Sequence, residues 1–432
     1  MATPNKRLVV VGAGPMGLAA AYFAAKQGWT VEVLEASDRA GGMAAHFDFD
    51  GLSLERFYHF CCKSDVDTEA LLSELGLPPI RWAKTKMGFF VDGKLYPWGD
   101  PISLLTFPLM NLVEKVRYGL QAFLSTKRSD WKVLDRVSAA DWFRAWCGAR
   151  VYEKLWRPLF ELKFYEYTES ISAAWIWQRI KRLGNSRRSL FQEELGYIEG
   201  GSETLVEALV AAIERLGGKI HLDTPARRFL IEGGRTLGVE AGDGRRFEAD
   251  RVISTIAMPY VVPMLDEHPQ LAERYAKFEN VGVVCVVHKL ARSVSRNFWV
   301  NISDPQIGIP GFVEFSNLRP VDHTIVYVPY YMPTTQPAFS RPDAAFVEES
   351  YRHLQRVNPA LKAEDRLVSH VGRLRYAQPV CDVGFGDRVP DPQTPVAGLQ
   401  IGDTSFYYPE DRGVSESIKF AQAMVERLQF DG

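Results

Sequence analysis

The sequence predicts an α/β fold in which a doubly wound parallel sheet is combined with a second sheet and a helical region. Three observations predict this fold: a glycine-rich turn between two apolar runs at the start, a helical and aromatic middle, and strand-rich sequence after it. The chain has 432 residues, which is more than one hydrophobic core usually holds, so we expect two domains, either sequential or interleaved.

The first predicted element is an apolar strand that leads directly into Gly12, Gly14 and Gly17. A helix over 18–27 should follow, and a second apolar strand should deliver Glu35 roughly twenty residues after the glycines. In such a unit the first glycine allows a tight turn, the second lets the backbone approach a pyrophosphate, and the third lets the helix pack close to the sheet. The glycines alone would fit an ordinary tight loop, but together with the flanking strands they predict a dinucleotide site.

The acid at position 35 also indicates which dinucleotide binds. A carboxylate at this place can accept hydrogen bonds from ribose hydroxyls, and no arginine directly follows it to receive a 2′-phosphate. NADP is therefore not the expected ligand.

The middle of the chain, 100–189, is helical and rich in aromatic residues. It predicts a helical cap or substrate domain, in which the aromatic residues form either a core or the wall of a cavity for a large apolar substrate. Its most apolar segment, 101–112, contains two prolines and is too short to span a bilayer. Peripheral membrane contact, a hydrophobic substrate wall and packing between domains all stay open for this segment.

The sequence after the middle region returns to alternating strands and helices. A helix is predicted over 203–216, and the stretch 226–256 should form a β-meander that leads back to the parallel sheet. Strand-rich sequence over 281–328 predicts a second sheet, and a terminal helix is predicted over 414–428.

Charge and cysteine content exclude several classes of protein. The net charge of −2 and the isoelectric point near 6.5 give no electrostatic case for a nucleic-acid partner, so small-molecule chemistry is expected. Five cysteines without a CxxC pair argue against both a disulfide framework and a zinc site. Because the start of the chain lacks the pattern of a signal peptide, we expect a cytoplasmic protein. The sequence does not predict an oligomeric state.

Several segments, taken in chain order, resemble the FAD-dependent amine oxidase superfamily. They are GAGPMG, the acid Glu35, RAGGMA, EGGSETL, ADRVIST and the terminal IGDTSFYYPEDRGVSESI. This superfamily includes protoporphyrinogen oxidases, phytoene desaturase-like enzymes and UDP-galactopyranose mutases. The resemblance covers about half the chain, and it implies FAD as the cofactor and an FAD-dependent oxidoreductase as the activity.

The resemblance also implies a division of the chain. A Rossmann-type FAD-binding domain would be built from three separate parts, and a mixed-sheet substrate domain and the helical cap would lie between them. The implied parts are 1–99 (FAD-binding), 100–189 (helical cap), 190–260 (FAD-binding), 261–395 (mixed-sheet substrate domain) and 396–432 (FAD-binding).

By the same resemblance, FAD would be bound by residues from four segments. The arginine and glycines after the acid would follow the diphosphate and ribityl regions, Asp403 would accept hydrogen bonds from ribityl hydroxyls, and Ala226 would contact the adenine through backbone groups unless it is a plain strand start. The implied cofactor-binding residues are Gly12, Gly14, Pro15, Met16, Gly17, Glu35, Ala36, Arg39, Gly41, Gly42, Met43, Ala226, Gly402, Asp403 and Val414.

Three residues are candidates for a catalytic role. No Ser/His/Asp order, zinc spacing or phosphate-transfer loop is present, and a flavin enzyme needs none of these because the flavin accepts the hydride at N5. His59 follows the diphosphate segment, where it either moves a proton or is a packed core histidine. Arg375 could clamp a carboxylate or phosphate, or form a surface ion pair. Arg412 would favour negative charge at the flavin pyrimidine.

Three functions follow from these residues. The leading hypothesis is hydride transfer to flavin from a C–N or C–C unit of an unidentified small-molecule substrate, which can be large and apolar. The alternative is a non-redox flavoenzyme resembling UDP-galactopyranose mutase, although that family's histidine-rich substrate motif has no clear match here. A third hypothesis is a flavin-stabilised binding protein without turnover.

Overall fold

A computed structural model describes residues 6–189 and 191–428. The strands within these ranges, in chain order, are β1 (Arg7–Val11), β2 (Thr30–Leu34), β3 (His46–Phe49), β4 (Leu52–Glu55), β5 (Arg81–Lys84), β6 (Met87–Val91), β7 (Lys94–Trp98), β8 (Arg187–Ser189), β9 (Gln192–Tyr197), β10 (Lys219–His221), β11 (Ala226–Glu232), β12 (Arg235–Ala241), β13 (Arg246–Glu248), β14 (Arg251–Ser254), β15 (Asn280–Leu290), β16 (Trp299–Ile302), β17 (Gly311–Glu314), β18 (Thr324–Met332), β19 (Arg366–Pro379) and β20 (Leu399–Ile401).

The helices of the same ranges are α1 (Pro15–Lys26), α2 (Val66–Glu74), α3 (Pro101–Thr106), α4 (Leu112–Lys127), α5 (Lys132–Asp135), α6 (Ala139–Cys147), α7 (Ala149–Val151), α8 (Arg157–Phe164), α9 (Ala173–Asn185), α10 (Ser202–Arg215), α11 (Met258–Val261), α12 (Pro269–Ala272), α13 (Asp343–Val357), α14 (Phe385–Arg388) and α15 (Val414–Arg427). A π-helical turn, Tyr152–Trp156, joins α7 to α8.

The first sheet has five parallel strands in the order β10-β2-β1-β14-β20. Strands β1 and β2 are nearly continuous apolar runs because both faces of the sheet are covered. Helices α1, α10 and α15 pack on one face in a single apolar cluster. The antiparallel sheet β11-β12-β13, which is the predicted meander, covers the other face. This architecture confirms the predicted Rossmann-type fold.

The second sheet has seven strands in the order β19-β15-β18-β17-β16-β6-β7. The pairs are antiparallel except for β16 with β6, which makes the sheet mixed, as predicted. The hairpin β6–β7 belongs to this second sheet, which differs from the division given above. That division includes it in the first FAD-binding part, whereas β6 is hydrogen-bonded to β16 of the second sheet. Phe89, Phe90 and Val91 of β6 are buried there, and no local pattern identifies so distant a partner strand.

Helices α3 to α9 form the predicted helical region, in which α4 packs on α6 and α9. Helix α4 has an unusual orientation, because its buried face contains polar residues: Gln121 accepts from the Cys147 thiol, and the Ser125 carbonyl accepts from the Trp177 indole. Its outward face is apolar and continues onto α3. We call this outward face the apolar stripe; its residues are Ile102, Leu105, Leu112, Val113, Val116, Leu120, Phe123 and Leu124.

No helix within 6–189 and 191–428 is both long enough and apolar enough to cross a membrane. The largest apolar cluster runs without interruption from the parallel sheet into the helical region. The two regions therefore share one core, and the cavity described below lies where they meet the second sheet.

Candidate functional site

A large cavity opens at the carboxyl edge of the parallel sheet. Its volume is about 1710 Å³, and single small-molecule sites typically occupy about 300–1,000 Å³. The cavity has two arms. The glycine-rich arm includes Gly12, Gly14, Glu35, Gly42 and Asp403. The helical arm includes Leu104, Phe123, Phe143, Trp156, Phe160 and Ile176.

The glycine turn after β1 forms the floor of the glycine-rich arm. Gly12 has a φ of 99° and donates its N–H to the carbonyl of Leu34 at 2.8 Å. A Cβ on Gly17 would lie 1.8 Å from the carbonyl oxygen of Gly12, so α1 can approach the turn only without a side chain there. A Cβ on Gly14, in contrast, would meet nothing within 4 Å and would project into the cavity. Space beside Gly14 is thus left for a ligand.

The carboxylate of Glu35 both lines the cavity and holds the turn. It accepts hydrogen bonds from the backbone N–H of Ala13 at 2.8 Å and from the N–H and hydroxyl of Ser37 at 2.9 and 2.7 Å. A carboxylate has about four lone-pair positions, so one remains for a ribose hydroxyl. The neighbouring Ala36 also lines the cavity.

The loop after Glu35 approaches the glycine turn closely. Gly41 has a φ of 113° and donates its N–H to the carbonyl of Ala13 at 2.8 Å, and a Cβ on it would lie 2.9 Å from Ala45. Gly42 and Met43 line the cavity. Arg39 and Gly41 do not, which differs from the direct contact that the resemblance implies. The guanidinium of Arg39 instead donates to the carbonyl of His46. Both residues therefore stabilise the loop without contacting the cavity.

The C-terminal segment closes the same arm. Asp403 lines the cavity and accepts from the backbone N–H groups of Met258 and Ser405, both at 2.9 Å; burial raises the pKa of its carboxyl. Gly402 lies behind it, where a Cβ would be 2.6 Å from the Phe420 ring. Val414 lines the cavity at the start of α15, and this helix has no side-chain cap at its N-terminus. Its first N–H groups and positive end therefore face the cavity.

These features fit an extended dinucleotide. The N-terminus of α1 also lacks a side-chain cap and begins with Pro15 and Met16, which line the cavity beside the open space at Gly14. Ala226 lines the arm beyond Glu35. The start of α1, the Glu35 carboxylate and the start of α15 are the groups that would hold the pyrophosphate, a ribose and the ring system of FAD.

His59 lines the cavity after β4. Its Nδ1 atom is buried and has no hydrogen-bond partner among the described residues. Burial lowers the pKa of the His59 imidazole below its usual range, with Glu55 acting in the opposite direction. The ring is therefore neutral at neutral pH, and one of its nitrogens can take up a proton.

The two candidate arginines lie in different environments. Arg412 lines the cavity, where it donates to the Gln378 carbonyl at 2.9 Å and to the Tyr331 hydroxyl at 3.3 Å. Arg375 is exposed and is not part of the cavity wall, so it is wrong as a residue that faces the substrate. On β19 the cavity is lined by residues 370–374 and by Tyr376, and Arg375 between them is left out.

A group of charged residues in the cavity wall was missed by the sequence analysis. Arg179 on α9 forms an ion pair with Asp411 at 2.7 Å, and Lys163 at the end of α8 faces the same region. The sequence contained a signal for both cations, because each lies on the same face of its helix as apolar residues that line the cavity. These residues are Leu159 and Phe160 before Lys163, and Ile176, Ile180 and Leu183 around Arg179.

The fold and the glycine-rich arm are typical of enzymes that bind a dinucleotide, and the cavity adds a second, apolar arm. Residues 17–384 match the model of the family described as flavin containing amine oxidoreductase. This match covers most of the chain, which therefore belongs to that family. FAD is its cofactor.

Individual relatives are distant. A probable zeta-carotene desaturase of Synechococcus elongatus is 24% identical over 323 residues, which are 64% of this chain and 63% of that protein. A putative protoporphyrinogen oxidase structure from Exiguobacterium sp. 255-15 has a TM-score of 0.77 at 21% identity, with both chains fully covered. A reduced UDP-galactopyranose mutase structure also has a TM-score of 0.77, at 14% identity, over 98% of this chain and 96% of the other. The matched region spans less than two thirds of the curated relative, and the structural likenesses show the fold alone.

The first prediction separates the two kinds of glycine in the turn. Gly14→Val should leave the melting temperature of the FAD-free protein close to that of the wild type, because the new side chain meets only open space. It should abolish the yellow flavin absorbance of the purified protein, because the same space receives the pyrophosphate.

Gly17→Ala is the matched control. Its Cβ would overlap the Gly12 carbonyl, so it should lower stability by about 1–3 kcal/mol or more, whether or not FAD is present. A yellow, fully loaded Gly14→Val protein would contradict the assignment of the cofactor site.

A second prediction concerns Glu416 in the first turn of α15. One of its carboxylate oxygens is buried without a partner among the described residues, and burial raises the pKa of this carboxyl from 4.5 to about 7. The folded protein therefore binds this proton more tightly than the unfolded chain, and stability should fall as pH rises from about 4.5 through about 7, by on the order of 3 kcal/mol.

Glu416→Gln should remove this part of the pH dependence and raise the melting temperature above neutral pH, measured by thermal unfolding across a pH series. Glu426→Gln, an exposed position on the same helix, is the control and should leave the profile unchanged. An identical pH profile for Glu416→Gln and wild type would refute the assignment.

Proposed function

We propose that this protein dehydrogenates a C–C or C–N unit of a large, mainly apolar small molecule. One observation carries the proposal: the cavity continues from the glycine-rich arm into an arm walled by aromatic and aliphatic side chains of α3, α4, α6, α8 and α9. Apolar walls of this length favour a substrate that buries much apolar surface. FAD supplies the hydride acceptor when bound, and no side-chain nucleophile is required.

The chain itself would orient the substrate, exclude water and accept a proton. His59, whose neutral ring lines the cavity, is the proposed proton acceptor. Arg412 beside the start of α15 would favour negative charge on the reduced cofactor, in concert with the positive end of that helix. The names of the relatives, desaturases and porphyrinogen oxidases among them, suggest polyenes and porphyrinogens as the first substrates to test.

We further propose that the apolar stripe rests on a lipid surface. Eight large apolar side chains on neighbouring helices are exposed, a patch of the kind that marks an interaction surface. Phe123 belongs to both the stripe and the cavity wall, so an apolar substrate could pass from the surface into the helical arm. The exposed cations Lys127 and Arg128 at the end of α4 complement anionic lipid headgroups.

The reductive half-reaction tests the enzymatic proposal. Under anaerobic conditions, a polyene or a porphyrinogen should bleach the flavin absorbance in stopped-flow mixing, and the dehydrogenated product should appear in equal amount. Short polar amines and nucleotide sugars should not bleach it, because they leave the apolar arm unfilled.

His59→Gln should retain FAD and slow the bleaching, since the amide replaces the imidazole's polarity without its basicity. Turnover of a nucleotide sugar only after reduction with dithionite would favour the mutase hypothesis instead. Absence of bleaching by all four classes would favour a binding protein without turnover.

Vesicle flotation tests the membrane proposal. Wild-type protein should float with vesicles of phosphatidylcholine and phosphatidylglycerol, and the triple variant Val113→Ser, Val116→Ser, Leu120→Ser should stay at the bottom of the gradient because it loses exposed apolar area.

Leu216→Ser, Leu222→Ser, Leu237→Ser is the matched control, because these leucines are exposed away from α3 and α4. It should float like the wild type. Equal flotation of both triple variants would refute a membrane-facing stripe.

A further inference from the structure

Three cations meet where the two arms of the cavity join. Lys163 and Arg179 lie on α8 and α9 of the helical region, and Arg412 lies in the loop that precedes α15. Asp411 is the acid that faces them. These three cations and Arg182 hold its pKa down at about 2 against the effect of burial. With Lys163 protonated, the group has an excess of two positive charges in a largely apolar wall.

Lys163 has no ion pair or hydrogen bond with any described residue. Its Nζ is 4.9 Å from the ring centre of Tyr331, 5.7 Å from that of Phe164 and 6.0 Å from that of Trp175. Rings stabilise a cation only partly, so the ammonium lacks an acceptor for its N–H groups.

Two other donor atoms at the cluster also lack a hydrogen-bond acceptor. Arg179 donates to Asp411 and stacks on Trp175, but its Nε atom is buried without a partner among the described residues. Gln378 accepts from Arg412, and its own amide nitrogen is likewise buried without a partner. Unpaired buried donors are costly, and these two, close to the Lys163 ammonium that also lacks an acceptor, indicate a missing acceptor.

We infer that Lys163, Arg179 and Arg412 form a subsite for an anionic oxygen group, carboxylate or phosphate, carried by the substrate. The apolar remainder of that substrate would occupy the helical arm. This inference rests on the proposed function, and it narrows the substrate to an amphiphile with an anionic end. A fully apolar analogue would leave these donors unpaired, so it should react more slowly than an amphiphile with an anionic end.

The position of Lys163 assigns the anion to the substrate. Lys163 and Arg179 project from helices that wall the helical arm, whereas the glycine-rich arm offers backbone N–H groups and the uncapped start of α1 for the phosphates of the cofactor. Of the three cations, Arg412 alone comes from the segment that adjoins α15.

Binding of amphiphiles to the FAD-loaded protein tests the inference. Dodecanoate, dodecyl phosphate and dodecanol, each below its micellar concentration, would be titrated while the flavin absorbance and the heat of binding are followed. At least one of the two anions should bind about 10- to 100-fold more tightly than the alcohol, the factor that hydrogen bonds to charged groups contribute. The stronger of the two identifies carboxylate or phosphate as the preferred group.

Lys163→Met should reduce this preference by about tenfold or more and leave dodecanol binding unchanged, because methionine keeps the apolar contact. Lys163→Arg should restore much of the preference. Lys181→Met, on α9 but outside the cavity wall, removes the same charge and should behave like the wild type.

Proton uptake gives a second readout. Burial lowers the pKa of Lys163 well below its usual range, with Arg179 and Arg412 acting in the same direction and Asp411 opposing them. A bound anion would restore the charged form, so anion binding should take up a proton and weaken as pH rises. Calorimetry in two buffers of different ionisation heat should detect this uptake in the wild type and its loss in Lys163→Met.

Equal affinity for the alcohol and both anions, an unchanged preference in Lys163→Met, or no measurable binding of either anion would overturn the subsite. Failure of the proposed function is distinguishable, since it appears as missing flavin or as flavin that no substrate bleaches. FAD-loaded protein that is bleached by a neutral polyene and ignores the anions would refute the subsite alone.

Discussion

The close approach of helix α1 to the turn before it is the contact on which the rest of the structure depends. No side chain fits between Gly17 and the Gly12 carbonyl, so the helix start is fixed at the carboxyl edge of the parallel sheet. Distant segments then bind the same turn. The Glu35 carboxylate and the Gly41 N–H both bond to Ala13, and the Thr255 hydroxyl bonds to the Val11 carbonyl. A rigid, ligand-facing backbone results from contacts that span much of the chain.

The two arms of the cavity use different physical means to hold a ligand. The glycine-rich arm offers backbone donors and helix ends, which suit a diphosphate and need little side-chain chemistry. The helical arm offers apolar area, which binds without direction. Between them, Arg179 and Asp411 bring polar groups from α9 and from the loop before α15 into direct contact. Fixed charge at this junction can orient a bound ligand, whereas the apolar walls alone would not fix its position along the arm.

The sequence predicts those features of the fold that depend on particular residue types at short, fixed spacings. The glycine turn, its acid and the terminal helix each need particular residue types at particular spacings, and they occur where expected. The position of Arg375 could not be predicted, because it depends on which residues of β19 meet the cavity. The place of the β6–β7 hairpin could not be predicted either, because its partner strand lies far along the chain. Lys163 was not predicted, because a single lysine between aromatic residues on a helix cannot be distinguished in sequence from a lysine that is exposed to solvent. Only the packing of the surrounding helices brings it into the cavity wall.

The order of strands in the parallel sheet has a consequence for how the protein is made. Strands β1 and β2 leave the ribosome first, but they pair with β14 and β10, and β20 and α15 come last. A nascent chain therefore exposes the unpaired edges and the apolar faces of β1 and β2 until β10 and β14 have been translated. Asp403 and Val414 belong to segments that are synthesised after all the other described walls of the cavity, so the glycine-rich arm is completed late in translation.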